Sequence, residues 1–215
     1  MWLHPPLSFC EVQGRYVFLD LARDRYFCLG GALDCAWRAL LANAAKASEI
    51  EMLSARGLIA EDAKPAGEPC STRIAQTSLL EGPSDYPTSL RRLLSLGWSV
   101  IKTRRRLRQK GLGAAVDALQ RTKSKSRPRD HGDRTALAAI ATDFARLDLL
   151  TTAHNRCLPR SLALAAFLAR RGYWPELVLG VRLGPFRAHC WVECGNAVVN
   201  DRLERIRHYT PIRRL

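Results

Sequence analysis

The sequence predicts an α+β fold built as two domains, and three observations carry that expectation. Three short runs rich in Val, Phe, Tyr and Leu open the chain and are followed by two segments of helical periodicity. A stretch dominated by Pro, Gly, Ser, Thr and Glu then interrupts the apolar pattern. Beyond it come further helical segments and, only after them, consecutive strands, so helices and strands are segregated rather than alternating. The expected boundaries are 1–62 for the first domain, 63–89 for a linker and 90–215 for the second.

FCEVQ, RYVFLDL and RYFCLG, separated by Gly14 and by a turn at 22–24, predict a small antiparallel meander. A first helix begins after Gly30 and Gly31 and carries Leu33, Trp37, Leu40 and Leu41 at helical spacing. A second takes Ile50, Met52 and Leu53 up to a stop at Gly57, and LIAED closes the unit. One face of the meander must fill a core, so Tyr26, Phe27 and Leu29 are candidates for core and for binding surface alike. The competing reading is a DNA-binding helix-turn-helix. Residues 42–56 offer it only Asn43, Lys46, Glu49, Glu51 and Arg56 for base edges or phosphates.

KPAGEPCSTR and EGPSDYPTS have the composition of a loosely packed connection. SLRRLLSLGWSVIKTRRRLRQ then predicts a helix with Leu90, Leu93, Leu94, Trp98 and Ile101 on one face, and AAVDALQ a second helix after Gly111 and Gly113. RTKSKSRPRDHGD is expected to be a basic loop. TALAAIATDFARLDLL is a further helix with Leu137, Ile140, Phe144, Leu147 and Leu150 inward.

The chain carries a formal net charge of +14, and the charge is one block: residues 91–129 hold thirteen Lys or Arg and one acid, Asp117. A basic amphipathic helix is most often a solvated face; as a functional surface it suits an acidic peptide or partner subunit. No run of 18 apolar residues is present, and MWLHPPLSFCEVQ lacks the basic then apolar order of a signal peptide. The expectation is a cytoplasmic protein without membrane contact. Seven irregularly spaced cysteines suit reduced thiols. Cys190 and Cys194, four apart on one predicted strand, would have Cα atoms roughly 13 Å apart at about 3.3 Å per residue, too far to bond. No CxxC pair is present, and no metal site is expected.

The chemistry concentrates in the last third. Asn155 is a candidate N-cap and Pro159 is tolerated in a first helical turn, so Cys157 heads an apolar helix. There the positive end of the helix dipole favours a thiolate, and free N–H groups can hold an oxyanion. Leu158, Leu162, Ala165, Ala166 and Ala169 form its buried stripe, with a glycine stop at Gly172. LVLGVRL, FRAHCWVEC and NAVVND read as consecutive antiparallel strands, the second carrying His189 beside Trp191. If Gly195 and Asn196 form a two-residue turn, Asn200 shares the His189 face and Asp201 points away; a longer loop or a bulge reverses this. Cys157, His189 and Asp201 are the candidate catalytic residues, with Asn200 the rival for the third role.

Two family resemblances follow from these residues. Residues 7–62, through GGALDCAW and LSARGLIAED, resemble the PqqD-like winged helix-turn-helix domain called the RiPP recognition element, which implies a leader-peptide groove. Mapped onto this chain, that groove comprises Arg25, Tyr26, Phe27, Cys28 and Leu29 on the third strand with Ile50 and Leu53 on the last helix. There the peptide would add as a further strand. CLPRSLALAAFLARRGYWPELVLGV and FRAHCWVECGNAVVND resemble, over roughly residues 90–208, the B-type leader peptidases of lasso peptide biosynthesis, a branch of the papain and transglutaminase-like cysteine hydrolases. The resemblance implies a cysteine endopeptidase with Cys157 as nucleophile, His189 as base and then acid, and Asp201 orienting the imidazole. It also implies a precursor peptide and an asparagine-synthetase-like cyclase as partners. No GxxxxGK loop is present, so ATP would act through the cyclase. The alternatives are a thiol acyl or amide transferase and a non-enzymatic, winged-helix nucleic-acid-binding protein.

Overall fold

The computed structural model describes residues 2–4, 6–60, 70, 73, 75–82, 86–126, 134–149 and 157–215, the side chains of residues 2, 148 and 149 aside. The chain divides into two compact units, Met1–Thr72 with Thr210–Arg213, and Arg73–Tyr209 with Arg214–Leu215.

The first unit runs β1 (Trp2–Leu3), β2 (Leu7–Val12), β3 (Arg15–Asp20), β4 (Arg25–Cys28), α1 (Ala32–Leu41), α2 (Ala47–Ala55) and β5 (Ile59–Ala60). β2 and β3 pair antiparallel from Leu7↔Asp20 to Val12↔Arg15. Gln13 and Gly14 join them with φ of 52° and 73°, the left-handed pair that a tight hairpin needs. The Asp20 carboxylate accepts the N–H groups of Ala22 and Arg23 at 2.9 and 3.1 Å and so shapes the turn into β4. In the order β2–β3–β4, β4 is an edge strand, while β1 and β5 form a separate pair. Phe9 and Phe18 are cross-strand partners, and both meet the Trp37 ring of α1 edge-on at 5.0 Å. Leu53, Leu58 and Ile59 complete this core.

The second unit runs β6 (Thr77–Ser78), α3 (Leu90–Lys125), α4 (Arg134–Leu149), α5 (Cys157–Ala169), β7 (Pro175–Arg182), β8 (Arg187–Cys194), β9 (Ala197–Val198) and α6 (Leu203–Ile206); the last strand, β10 (Thr210–Arg214), has all but Arg214 in the first unit. β7 and β8 pair antiparallel from Pro175↔Cys194 to Arg182↔Arg187. β9 adds to β8, and β6 adds parallel to β9. Leu215 exchanges two backbone bonds with Leu177 of β7, at 2.9 and 3.0 Å. α5 packs against β7, β8 and α3.

Three sequence expectations need correction. β6 lies within the stretch read as a linker: it is held by polar bonds that leave no apolar signature, Leu79 N–H to the Val198 carbonyl at 2.9 Å and Ser78 Oγ to the Asp201 carbonyl at 2.6 Å. The two helices expected around Gly111 and Gly113 run on as one element with a local break at Gly111 (φ 76°, ψ −179°). That element continues through RTKSK, where a loop was expected. There the Thr122 and Ser126 hydroxyls donate to carbonyls four residues back and Lys123 lies 5.4 Å from the Trp174 ring centroid; residues 127–133 lie outside the described residues.

The apolar face expected on α3 forms, but it is not the face that packs. An apolar helix face is ordinarily the buried one, yet Leu90, Leu94, Trp98 and Ile101 are 70, 66, 66 and 51% exposed, and Leu93 is only partly buried. α3 instead buries Leu96 and Ser99. Ser99 Oγ donates to the Ala163 carbonyl and accepts from Arg170 Nη2, both at 3.1 Å, so a small polar residue lets α3 approach the alanine-rich α5. In α4, Leu137, Ile140 and Phe144 are buried as expected and Leu147 is partly buried; Leu150 lies outside the described residues. Asp143, fully buried, holds the helix against the start of α3 through Arg92 Nε at 2.5 Å.

Candidate active site

Cys157 is the first residue of α5 and half-buried, at the end where backbone N–H groups lack intrahelical acceptors. Asn155, the expected cap, lies outside the described residues. His189 sits midway along β8, opposite Gly180. That glycine is required: a Cβ there would lie 2.8 Å from the Trp191 ring and 3.1 Å from Tyr209 Cβ. Trp191 and Tyr209 in turn flank the imidazole at ring-centroid separations of 6.1 and 5.1 Å.

The turn between β8 and β9 holds two residues, since Cys194 pairs with Ala197 and Glu193 with Val198. Unbroken strand alternation beyond such a turn would put Asn200, and not Asp201, on the His189 face. The structure differs because the ladder does not extend that far. β9 ends at Val198, Val199 N–H still reaches the Val192 carbonyl at 2.8 Å, and the next bond to β8 is made by a side chain, Val192 N–H to Asn200 Oδ1 at 2.8 Å. Freed from strand alternation, Asp201 brings Oδ2 to 2.5 Å from His189 Nε2. Its carbonyl accepts from Ser78 Oγ, and its Oδ1 accepts from Arg202 N–H at 2.8 Å.

Asn200 has a different task. Its Nδ2 donates to Ser161 Oγ at 2.9 Å, and Ser161 Oγ donates to the Cys190 carbonyl at 3.0 Å. Ser161 is one turn beyond Cys157, so this chain of bonds ties the first turns of α5 to the strand that carries His189.

The Cys157 thiol hydrogen-bonds to Cys190 and to His189. With Asp201 on Nε2, Nδ1 is the ring nitrogen left for the sulfur. The Cys190 hydrogen bond is the largest influence on Cys157; burial opposes it, and the bond to His189 and its charge add to it, pulling the thiol down to about 4. Cys190, buried and beside that thiolate, is pushed well above the ordinary thiol range and stays a donor. Burial disfavours the charged imidazole, but hydrogen bonds to Asp201 and Cys157 and their charges outweigh it and raise His189 to about 9. Between those values the pair is a thiolate and an imidazolium, the state of an activated nucleophile.

In the first unit, Arg25, Phe27, Cys28 and Leu29 line a groove of about 700 Å³ together with residues that include Leu33 and Arg56. Of the other residues assigned to peptide binding, Leu53 is buried in the core and Ile50 packs against it. Tyr26, partly buried, pairs with Leu19 on β3. Sequence reasoning missed Ser161, Cys190, Gly180 and Tyr209. Ser161 carried a usable signal, the i, i+4 spacing from Cys157 on one helix face.

Over residues 99–214, more than half of its length, the chain matches the family model described as the transglutaminase-like superfamily. The microcin J25-processing protein McjB of Escherichia coli is 49% identical over 45 residues, 21% of this chain and 22% of that protein. The match thus spans about a fifth of McjB. No solved structure matches.

Proposed function

Because this chain belongs to the transglutaminase-like superfamily, we propose that it is a cysteine peptidase of lasso peptide processing that removes the leader of a ribosomally made precursor. The observation that carries the reading is the approach of His189 Nε2 to Asp201 Oδ2 at 2.5 Å, with the Cys157 thiol bonded to the same imidazole. The partial match to a microcin-processing protein supports the substrate class.

In this mechanism the Cys157 thiolate attacks the scissile carbonyl carbon, and the C=O electron pair moves onto oxygen. The Cys157 and Leu158 N–H groups in the first turn of α5, which have no intrahelical acceptor, hold that oxyanion. As it collapses, the C–N bond breaks and His189 Nδ1 gives its proton to the departing amine, leaving a thioester. His189, now neutral, takes a proton from water, hydroxide adds to the thioester carbonyl, and the Cys157 thiolate leaves as the acid forms. Asp201 holds the ring and stabilises its charged form throughout.

The groove beside β4 is the proposed leader site, in which a peptide strand adds to the open edge through main-chain bonds. A cyclase that joins the freed amine is the proposed partner, and any ATP requirement is assigned to it. The basic α3 suits docking of that partner or of an acidic precursor.

Cys157→Ala tests the assignment with the precursor as substrate. Cleavage is expected to vanish while precursor binding, measured by calorimetry, persists. Cleavage that survives the substitution overturns the reading.

A further inference from the structure

We propose that the cavity between α3, α4 and the first turn of α5 is a specificity subsite that takes one uncharged aliphatic or aromatic side chain of the peptide, close to the bond Cys157 attacks. The inference rests on Cys157 being the nucleophile of a peptidase, as proposed above.

Two features of the cavity support it. Its volume is about 170 Å³, comparable to the roughly 150 Å³ apolar cavity that accepts a benzene ring, so one large side chain fits. Its walls are Gly97, Val100 and Ile101 from α3 and Phe144 and Leu147 from α4, with Phe144 buried. Arg104 and Arg160 sit at its rim, Arg160 5.1 Å over the Phe144 ring, and burial followed by the neighbouring Arg104 charge lowers the Arg160 pKa. A Lys or Arg head entering between the apolar walls would lose its hydration, whereas Leu or Phe would bury apolar surface.

Position links the cavity to the chemistry. Arg160 is three residues beyond Cys157 on the same helix, about 4.5 Å along its axis at about 1.5 Å per residue. A side chain within a few residues of the scissile carbonyl can span that distance.

Gly97 supplies the test. An added Cβ there meets nothing within 4 Å, and Leu is a better helix former than Gly, so Gly97→Leu should fill the cavity without unfolding the helix; circular dichroism and a thermal melt check this. The first measurement does not need peptide cleavage. Alkylation rates of Cys157 by iodoacetamide and by N-benzyl-iodoacetamide are compared, each normalised to free cysteine. The parent is expected to favour the benzyl reagent, and Gly97→Leu to bring the ratio to near unity. The second measurement is kcat/KM on precursor peptides bearing Leu, Phe or Lys at each of the four positions on either side of the cleaved bond. At one position the parent should prefer Leu or Phe over Lys by roughly 10-fold or more, the scale of apolar-pocket discrimination, and Gly97→Leu should erase the preference. Ile101→Ala, which widens the cavity, should shift that preference from Leu towards Phe. A preference left intact by Gly97→Leu, or an alkylation ratio equal in parent and variant, overturns the subsite. Failure of the parent to cleave any peptide sinks the peptidase reading instead, and the alkylation ratio still decides the cavity.

Discussion

At the scale of single residues, the thiol and the imidazole have moved in opposite directions, and this sets the pH dependence. With Cys157 at about 4 and His189 at about 9, the thiolate is lost as pH falls through about 4, and the proton needed by the leaving amine is lost as pH rises through about 9. Alkylation by iodoacetamide, which needs only the thiolate, should fall at the acid limb alone; peptide cleavage should fall at both. Cys190→Ala removes the largest influence holding the thiol down and should move the acid limb of alkylation towards the ordinary thiol value of 9.0. A limb unmoved in that variant would show that the Cys190 hydrogen bond does not set the thiolate. Asp201→Ala leaves the imidazole without its 2.5 Å partner and should lower kcat by ~10²-fold or more, as loss of an orienting carboxylate does in related constellations. Asn200→Ala should act mainly on stability, by about 1–3 kcal/mol, because it strips partners from Val192 N–H and Ser161 Oγ. An Asp201→Ala enzyme with parental kcat, beside an inert Asn200→Ala enzyme, would exchange the two roles.

At the scale of elements, α3 shows where helical periodicity misleads. Periodicity finds the stripe Leu90, Leu93, Leu94, Trp98 and Ile101, but the side chains α3 buries most fully in this stretch are Leu96 and Ser99, on another face. Leu96→Ala should therefore cost about 2–5 kcal/mol in a denaturant melt, whereas Leu94→Ala should stay within about 0.5 kcal/mol of the parent; similar losses at both would place the stripe in a core. The antiparallel strands were legible because alternation and turn residues are local signals, as RYVFLD and LVLGVR show. β6 was not, since Ser78 and the following Leu79 are held by partners more than a hundred positions away. The end of β9 was equally hidden: nothing local in NAVVND states that pairing stops at Val198, and that stop decides which side chain meets His189. Cys157 and His189 could be singled out from a helix terminus and a strand, whereas the third partner depended on tertiary bonds to Ser161 and Ser78.

At the scale of the whole chain, the edge strand β4 and the helix that carries Cys157 belong to different compact units, each with its own core. Binding and chemistry should accordingly separate on mutation. Leu29 lines the groove beside β4 and is partly buried, so Leu29→Asp puts a carboxylate where a bound peptide would have to desolvate it. If the leader is captured there, the second encounter is intramolecular, and the precursor meets Cys157 at an effective concentration that can reach the millimolar range. A short peptide spanning only the cleavage junction lacks that advantage. The parent should show a KM for full precursor at least ~10-fold below its KM for the short peptide, with similar kcat. In Leu29→Asp the precursor KM should rise towards the short-peptide value, while kcat and the rate of Cys157 alkylation stay at parental levels. Equal KM values for the two peptides in the parent, or an unchanged precursor KM in the variant, would remove the groove from the mechanism while leaving the thiolate and its imidazolium where they are.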